Sequence, residues 1–274
     1  MKNLTNFQQR VIAAIIFAPI LVFSIYYSSI SYIILIVFLC ALTQLEFYKL
    51  MGSIEGNLPL TFFGTFIGVF LQVLVYLVEK GQISFHNYFW LTPLLTLIFF
   101  IKLYKPNDER PFQNIAYTFL GIIYVAVPFA LFTVLAFTKN HTYDFQIILG
   151  SLFMLWASDS GAYFAGLKFG KTKLFERVSP KKSWEGVMGG LIATEITASI
   201  ISSLFTNYNP WQWIIIGFII VVVGTYGDLV ESLLKRSIKI KDSSNFIPGH
   251  GGLLDRFDGL LLSIPFIIAF LKLF

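Results

Sequence analysis

Nine continuous apolar runs, most of them about as long as a bilayer is thick, leave this 274-residue chain few folds to choose from. They lie at approximately 11–28, 31–50, 60–78, 87–104, 115–137, 145–165, 187–205, 211–234 and 254–273. A helix of about 20 apolar residues spans the hydrocarbon core of a membrane. The runs lack the two-residue alternation of barrel strands, so their backbone groups are satisfied within helices. Only 13% of residues are charged and 56% are hydrophobic, whereas a soluble domain carries about 25% charged residues. The sequence therefore predicts an all-α integral membrane protein with nine transmembrane helices. The boundary between the first two rests on Ser28, Ser29 and Ser31 alone.

Charge distribution sets the orientation. With the N-terminus in the cytoplasm, the N-terminal tail and the loops after the second, fourth, sixth and eighth runs hold 17 of the 20 Lys and Arg residues. The other side keeps Lys80, Lys139 and Lys272. This asymmetry follows the positive-inside rule and puts the C-terminus on the opposite face. Lys102, Lys105 and Arg110 read as topology determinants or headgroup contacts. The first run continues to Tyr27 without a small-residue cleavage site, which reads as an uncleaved span. The lone Cys40 permits no intrachain disulfide. No internal repeat is evident. The expected organisation is a single polytopic domain, with residues 1–140 as scaffold spans and a candidate oligomer surface, and residues 150–274 carrying the chemistry.

Ionisable groups inside a membrane are costly and so mark function or pairing. Asp228, Glu231 and Lys235 fall at i, i+3 and i+7 on one face of the eighth run. The loop that follows carries Lys239, Lys241 and Asp242, then Pro248-Gly249-His250-Gly251-Gly252 and Asp255-Arg256-Phe257-Asp258. Glycines bring backbone N–H groups close to anions, Lys and Arg compensate phosphate charge, and carboxylates hold Mg²⁺ that bridges to phosphate. Together these elements read as a metal–polyphosphate site. A second basic loop carries Lys168, Lys171, Lys173, Arg177, Lys181 and Lys182, with Asp159 just upstream. Gly170-Lys171-Thr172 is not a P-loop, because the earlier glycine position is Ala165 and the preceding segment is a span. Glu195, inside the seventh run, is compatible with either a structural hydrogen bond or a role in lipid or proton access.

The combination Ser232-Leu233-Leu234-Lys235-Arg236, Lys241-Asp242 and His250-Gly251-Gly252-Leu253-Leu254-Asp255-Arg256-Phe257-Asp258 resembles the signature of phosphatidate cytidylyltransferases. Ser158-Asp159-Ser160-Gly161-Ala162-Tyr163 and Ser179-Pro180-Lys181-Lys182-Ser183-Trp184-Glu185-Gly186 are also similar to segments of that family. The resemblance implies transfer of a cytidylyl group from CTP to phosphatidate, giving CDP-diacylglycerol and pyrophosphate. It implies Mg²⁺, with a second cation left open, and catalytic roles for Asp228, Asp255, Lys241, Asp242 and His250. Asp228, Asp255 and Asp258 become the expected metal ligands. Lys181, Lys182, Ser183, Ser232, Lys235, Arg236, Gly251, Gly252 and Arg256 become the expected substrate contacts. The partners are CTP, phosphatidate and the surrounding lipid, with no nucleic acid. In a bacterial cell the protein would lie in the inner membrane with its site facing the cytoplasm.

Two rival classes are disfavoured by the residues. A CDP-alcohol phosphotransferase expects Asp-Gly-x-x-Ala-Arg, which is absent, although another lipid phosphotransferase or CTP-dependent lipid kinase stays open. An anionic-metabolite transporter expects inverted repeats with broken helices at the midplane, whereas here the charges gather at one face. The orientation has a direct test. Single cysteines replacing Lys173 and Ile240 should react with an impermeant thiol reagent only from the cytoplasmic side, and one replacing Asn140 only from the other. Opposite sidedness of positions 173 and 240 would show that a span between them is miscounted.

Overall fold

The computed structural model describes residues 6–240 and 251–274. Every apolar run forms helix. In chain order the helices are α1 (Asn6–Tyr27), α2 (Ser29–Gly52), α3 (Thr61–Glu79), α4 (Leu91–Leu103), α5 (Pro111–Gly121), α6 (Val127–Leu135), α7 (Gln146–Phe169), α8 (Trp184–Leu204), α9 (Pro210–Ser237) and α10 (Leu254–Leu273). Six helical runs among the described residues are long and apolar enough to cross a membrane. A 3₁₀ turn at Phe85–Trp90 precedes α4. At roughly 2.0 Å per 3₁₀ residue and 1.5 Å per α residue, the two together reach about 30 Å, the thickness that α4 alone would miss. The described residues form two compact units, 6–143 with 251–256 and 144–240 with 257–274.

In the first unit, the three serines do separate α1 from α2. Ser28 is extended, at φ −166° and ψ 163°. Its hydroxyl accepts the Ser31 N–H at 3.1 Å, while the Ser31 hydroxyl accepts the Ser28 N–H at 3.1 Å. This reciprocal capping box satisfies the donors that a helix start leaves orphaned, where lipid offers none.

The fifth run is one continuous helical stretch with a wide turn in its middle. Ile122–Ala126 is π-helical, and the Val127 N–H reaches back five residues to the Ile122 carbonyl. Pro128 explains the widening, because it has no N–H and its ring crowds the carbonyl four residues earlier. The neighbouring helices then supply side-chain donors. Gln72 Nε2 donates to the Ala126 carbonyl at 2.8 Å, and Gln44 Nε2 donates to the Gly121 carbonyl at 3.3 Å. The Tyr48 hydroxyl donates to the Thr118 carbonyl at 2.8 Å. Gln44, Gln72 and Tyr48 are all 1% exposed or less, so nothing but protein can pair with these groups.

Lys102 departs from the expected flanking charge. Its ammonium is buried, paired with Asp108 and donating to the Leu58 carbonyl at 2.5 Å. The Asp108 carboxylate also accepts from Asn114 Nδ2 at 2.6 Å and from the Arg110 N–H at 3.1 Å. Burial opposes the Asp108 charge, but Lys102, Asn114 and the Arg110 N–H overcome it and hold its carboxyl below the usual carboxylate range. A lysine near a helix end looks the same in sequence whether it faces lipid headgroups or closes a loop; only the fold distinguishes the two.

The second unit holds α7, α8, α9 and most of α10, together with an antiparallel hairpin in a segment whose sequence predicts a loop. Its strands are β1 (Lys173–Phe175) and β2 (Ser179–Ser183), with Lys173 opposite Ser183. The outer surface of α8 carries Trp184, Met188, Ile192, Ile196, Ile200 and Leu204, all more than half exposed. Apolar side chains at that exposure suit contact with lipid rather than water.

Two outcomes test the first unit. A methyl group at Gly121 would lie 2.7 Å from the Tyr48 hydroxyl oxygen. Gly121→Val should therefore overpack the wide turn and cost about 1–3 kcal/mol, read as a lower Tm in detergent with unchanged helix content. Asp108→Asn strands the buried Lys102 ammonium, and removing one partner of a buried pair costs about 3–5 kcal/mol. Because the folded carboxyl titrates below its unfolded value of about 3.9, its contribution is complete above that pH and is lost as pH falls through the folded value. Wild type should lose stability in that acid window, and Asp108→Asn should be destabilised already at pH 7 with a smaller further loss there.

Candidate functional site

Small residues decide which helices of the second unit can touch. A methyl group at Gly161 of α7 would sit 2.6 Å from the Gly189 carbonyl oxygen and from the Ala193 Cβ of α8. At Gly227 of α9 it would sit 2.6 Å from the Asp258 carbonyl oxygen and 2.9 Å from the Gly259 Cα of α10. Close backbone approach of this kind is how membrane helices associate when burial of apolar surface gives no drive. It has a chemical result: α9 lies directly against the backbone of Asp258, one residue along α9 from Asp228.

The hairpin brings a cation to the same place. Ser183 caps α8, its hydroxyl accepting the Gly186 N–H at 3.2 Å. The Glu185 carboxylate accepts the Thr172 N–H at 3.0 Å and the Lys171 N–H at 3.2 Å, and the Trp184 N–H reaches the Thr172 carbonyl at 3.0 Å. The open end of the hairpin is thus strapped to the start of α8. Lys182, on β2, extends from this strap to form an ion pair with Asp228 at 2.5 Å. Both side chains stay partly exposed, at 27% and 42%. Ser232, one turn along α9, donates to Asp228 Oδ1 at 3.3 Å. Asp258 interacts electrostatically with Asp228, Lys182 and Asp159, and its Oδ1 accepts the Gly259 N–H at 2.7 Å.

The second unit therefore brings Lys182 and Ser232 onto Asp228 and packs the Asp258 backbone against the neighbouring Gly227. Lys235 is placed differently from a free phosphate clamp, since it pairs with Glu231 one turn earlier at 2.5 Å. Glu231 is 1% exposed, so this pair anchors the C-terminal end of α9. Arg236 is exposed, its Nη1 donating to the Ile240 carbonyl at 3.1 Å, and Lys181 is also exposed. Ser183, expected as a substrate contact, is buried as a helix cap.

Gly251, Gly252, Asp255 and Arg256 lie in the other unit, at the start of α10. Gly251 has φ +83°, a conformation that favours glycine, and turns the chain into the helix. Asp255 Oδ2 accepts the Gly252 N–H at 3.1 Å, and Arg256 is exposed. Lys241, Asp242 and His250 lie outside the described residues. Two features of the site have little or no signal in the sequence. The Lys182–Asp228 pair joins residues of different loops and helices, with no signal in spacing. Glu46, in α2, accepts N–H groups at the start of α10; a carboxylate at the end of an apolar run was its only signal.

The Cytidylyltransferase family model matches residues 8–274. A phosphatidate cytidylyltransferase of Haemophilus influenzae is 33% identical over 285 residues, covering 96% of this chain and 98% of that protein. A protein of the same name from Bacillus subtilis is 29% identical, covering 99% of this chain and all of its own length. Another from Staphylococcus saprophyticus is 30% identical over 94% of each chain. Matched along nearly its whole length, this multi-pass membrane protein belongs to the cytidylyltransferase family and is a nucleotidyltransferase.

Proposed function

We propose that the protein transfers the cytidylyl group of CTP to phosphatidate, at a metal-dependent site on the cytoplasmic face of the membrane. The observation that carries the reading is the meeting of Asp228, Asp258 and Lys182 beside a basic hairpin at the end of a membrane helix. The names of the relatives support the substrates. The gathering of Lys and Arg on one side of the apolar runs supports the face, which in a bacterial cell is the inner face of the inner membrane.

Mg²⁺ fits the donors present. It takes near-octahedral oxygen ligation, typically one or two carboxylates with waters and substrate phosphates making up the rest. Asp228 and Asp258 offer that carboxylate pair, and the Lys182 ammonium at Asp228 marks a position that already accommodates a cation. Among the described residues no three His, Cys, Asp or Glu side chains form a cage, and Mg²⁺ needs none when phosphate completes its shell. Asp255 and, beyond the described residues, Asp242 are further candidates. When bound, the metal neutralises triphosphate charge and aligns the groups for in-line displacement.

The chain's own residues then have distinct tasks. Asp228 is held in orientation by the Ser232 hydroxyl on one side and Lys182 on the other. Lys182 is placed to move from Asp228 to a phosphate oxygen when nucleotide arrives, exchanging one anion for another. Arg256, Lys181 and Arg236 are exposed cations suited to phosphate contact, with Lys241 in the same role. The phosphatidate oxygen attacks the α-phosphorus of CTP, the bond from that phosphorus to the bridging oxygen breaks, and pyrophosphate leaves. The attacking phosphate monoester, with a second pKa of about 6, is already a dianion near neutral pH, so no strong base is required. A site at the end of the helices lets nucleotide arrive from water and lipid from the bilayer.

The purified protein in detergent should release pyrophosphate only when CTP, phosphatidate and a divalent cation are present together. Release without lipid, or with the cation fully chelated, contradicts the reading. Asp228→Asn and Asp258→Asn should each nearly abolish turnover with helix content unchanged. The double variant should be little worse than either alone, because residues acting as a unit are non-additive. Wild-type turnover in both single variants would remove the metal assignment.

A further inference from the structure

Resting on the proposed reaction, we infer that Glu46, on α2, is a positioning residue for it: its carboxylate caps α10 and fixes the first turn that carries Asp255 and Arg256.

Helix starts leave their first N–H groups without intrahelical acceptors. At α10 these groups are enclosed, since Leu253 is 2% exposed and Leu254 is fully buried. Asp255 accepts the Gly252 N–H, at 3.1 Å. The next two donors, on Leu253 and Leu254, both reach Glu46 Oε2, at 2.7 and 3.3 Å. Glu46 lies 207 residues away in sequence and is 8% exposed.

Burying a carboxylate is expensive unless it is well bonded, and a chain needing only to hold two helices together would manage with apolar contacts. What a carboxylate adds is directional. It accepts charge-assisted hydrogen bonds from two consecutive N–H groups and complements the positive end of the helix. Those bonds fix the rotation of the first turn about its own axis, and with it the direction in which the next two side chains, Asp255 and Arg256, project. The positive φ of Gly251 allows the chain to reach this cap, but provides no bond that holds it.

The test compares Glu46→Leu, which removes the acceptor, with Glu46→Gln, which keeps an acceptor oxygen but loses the charge. Full-length proteins in detergent are assayed for kcat and for KM towards CTP and phosphatidate. Hydrogen exchange over residues 252–256 and thermal unfolding are measured in parallel. Glu46→Leu should lower kcat by roughly 10- to 100-fold, the factor carried by a lost charge-assisted hydrogen bond. KM for phosphatidate should stay within about threefold, and exchange at residues 253 and 254 should rise by a similar factor to the fall in kcat. Glu46→Gln should recover most of both, remaining about three- to fivefold impaired. Faster exchange or a lower Tm in Glu46→Leu with wild-type kcat would leave Glu46 a purely structural cap and overturn the inference, as would equal impairment of the two variants. If Glu46→Leu does not fold, Glu46→Gln decides alone, and wild-type exchange with wild-type kcat would overturn the inference. Absence of pyrophosphate formation by the wild type in the same assay would instead count against the reaction itself.

Discussion

Hydrocarbon offers no hydrogen-bond partners, so each backbone N–H and C=O within the membrane must find one inside the protein. Straight helix solves this only in its interior. At several places where this chain departs from straight helix, a side chain supplies what the helix cannot. Ser28 and Ser31 close the break between α1 and α2, and Gln44, Gln72 and Tyr48 serve the carbonyls around the wide turn before Pro128. Ser183 caps α8 and Glu46 caps α10.

The second unit meets a related demand with small residues. Once the backbones of α9 and α10 approach at Gly227 and Gly259, the aspartates beside them meet without an engineered loop. Bringing carboxylates together is unfavourable by itself. Lys182 offsets that repulsion and can do so because Glu185 straps the hairpin to α8. Packing thus sets the position of the negative groups, and hydrogen bonding to a helix N-terminus sets the position of the cation that balances them.

Much of this could be read from residue order, for identifiable reasons. The apolar runs became helices because continuous hydrophobicity admits no other backbone solution in lipid, and even the weakest boundary, at Ser28, has a capping box that explains it. Asp228 is legible at helical spacing with Glu231 and Lys235, Asp258 in its glycine- and carboxylate-rich segment, and Ser232 only through the family resemblance. Lys182 is expected as a substrate contact, and nothing in its spacing points to Asp228 as its partner. The hairpin was read as a loop because three- and five-residue strands rich in lysine lack any alternating apolar pattern. Lys102 and Glu46 illustrate the same limit: a single charge near the end of an apolar run gives no indication of whether it meets headgroups, a loop carboxylate or the start of a distant helix. Contacts at a sequence separation of 207 residues arise from packing and leave no local trace.

The glycine seam between α9 and α10 has a consequence for mutational tolerance. Most catalytic geometries are maintained by side chains that can be trimmed or exchanged with graded losses. Here the spacing of Asp228 and Asp258 is maintained by atoms that are missing, and a methyl group at Gly227 already intrudes on the Asp258 main chain at 2.6 Å. No smaller residue exists to compensate across the seam. Sequence drift at this pair of helices is therefore confined to their outer surfaces. A saturation screen would score Gly227 as harshly as the carboxylates, although it has no side chain with which to touch either substrate.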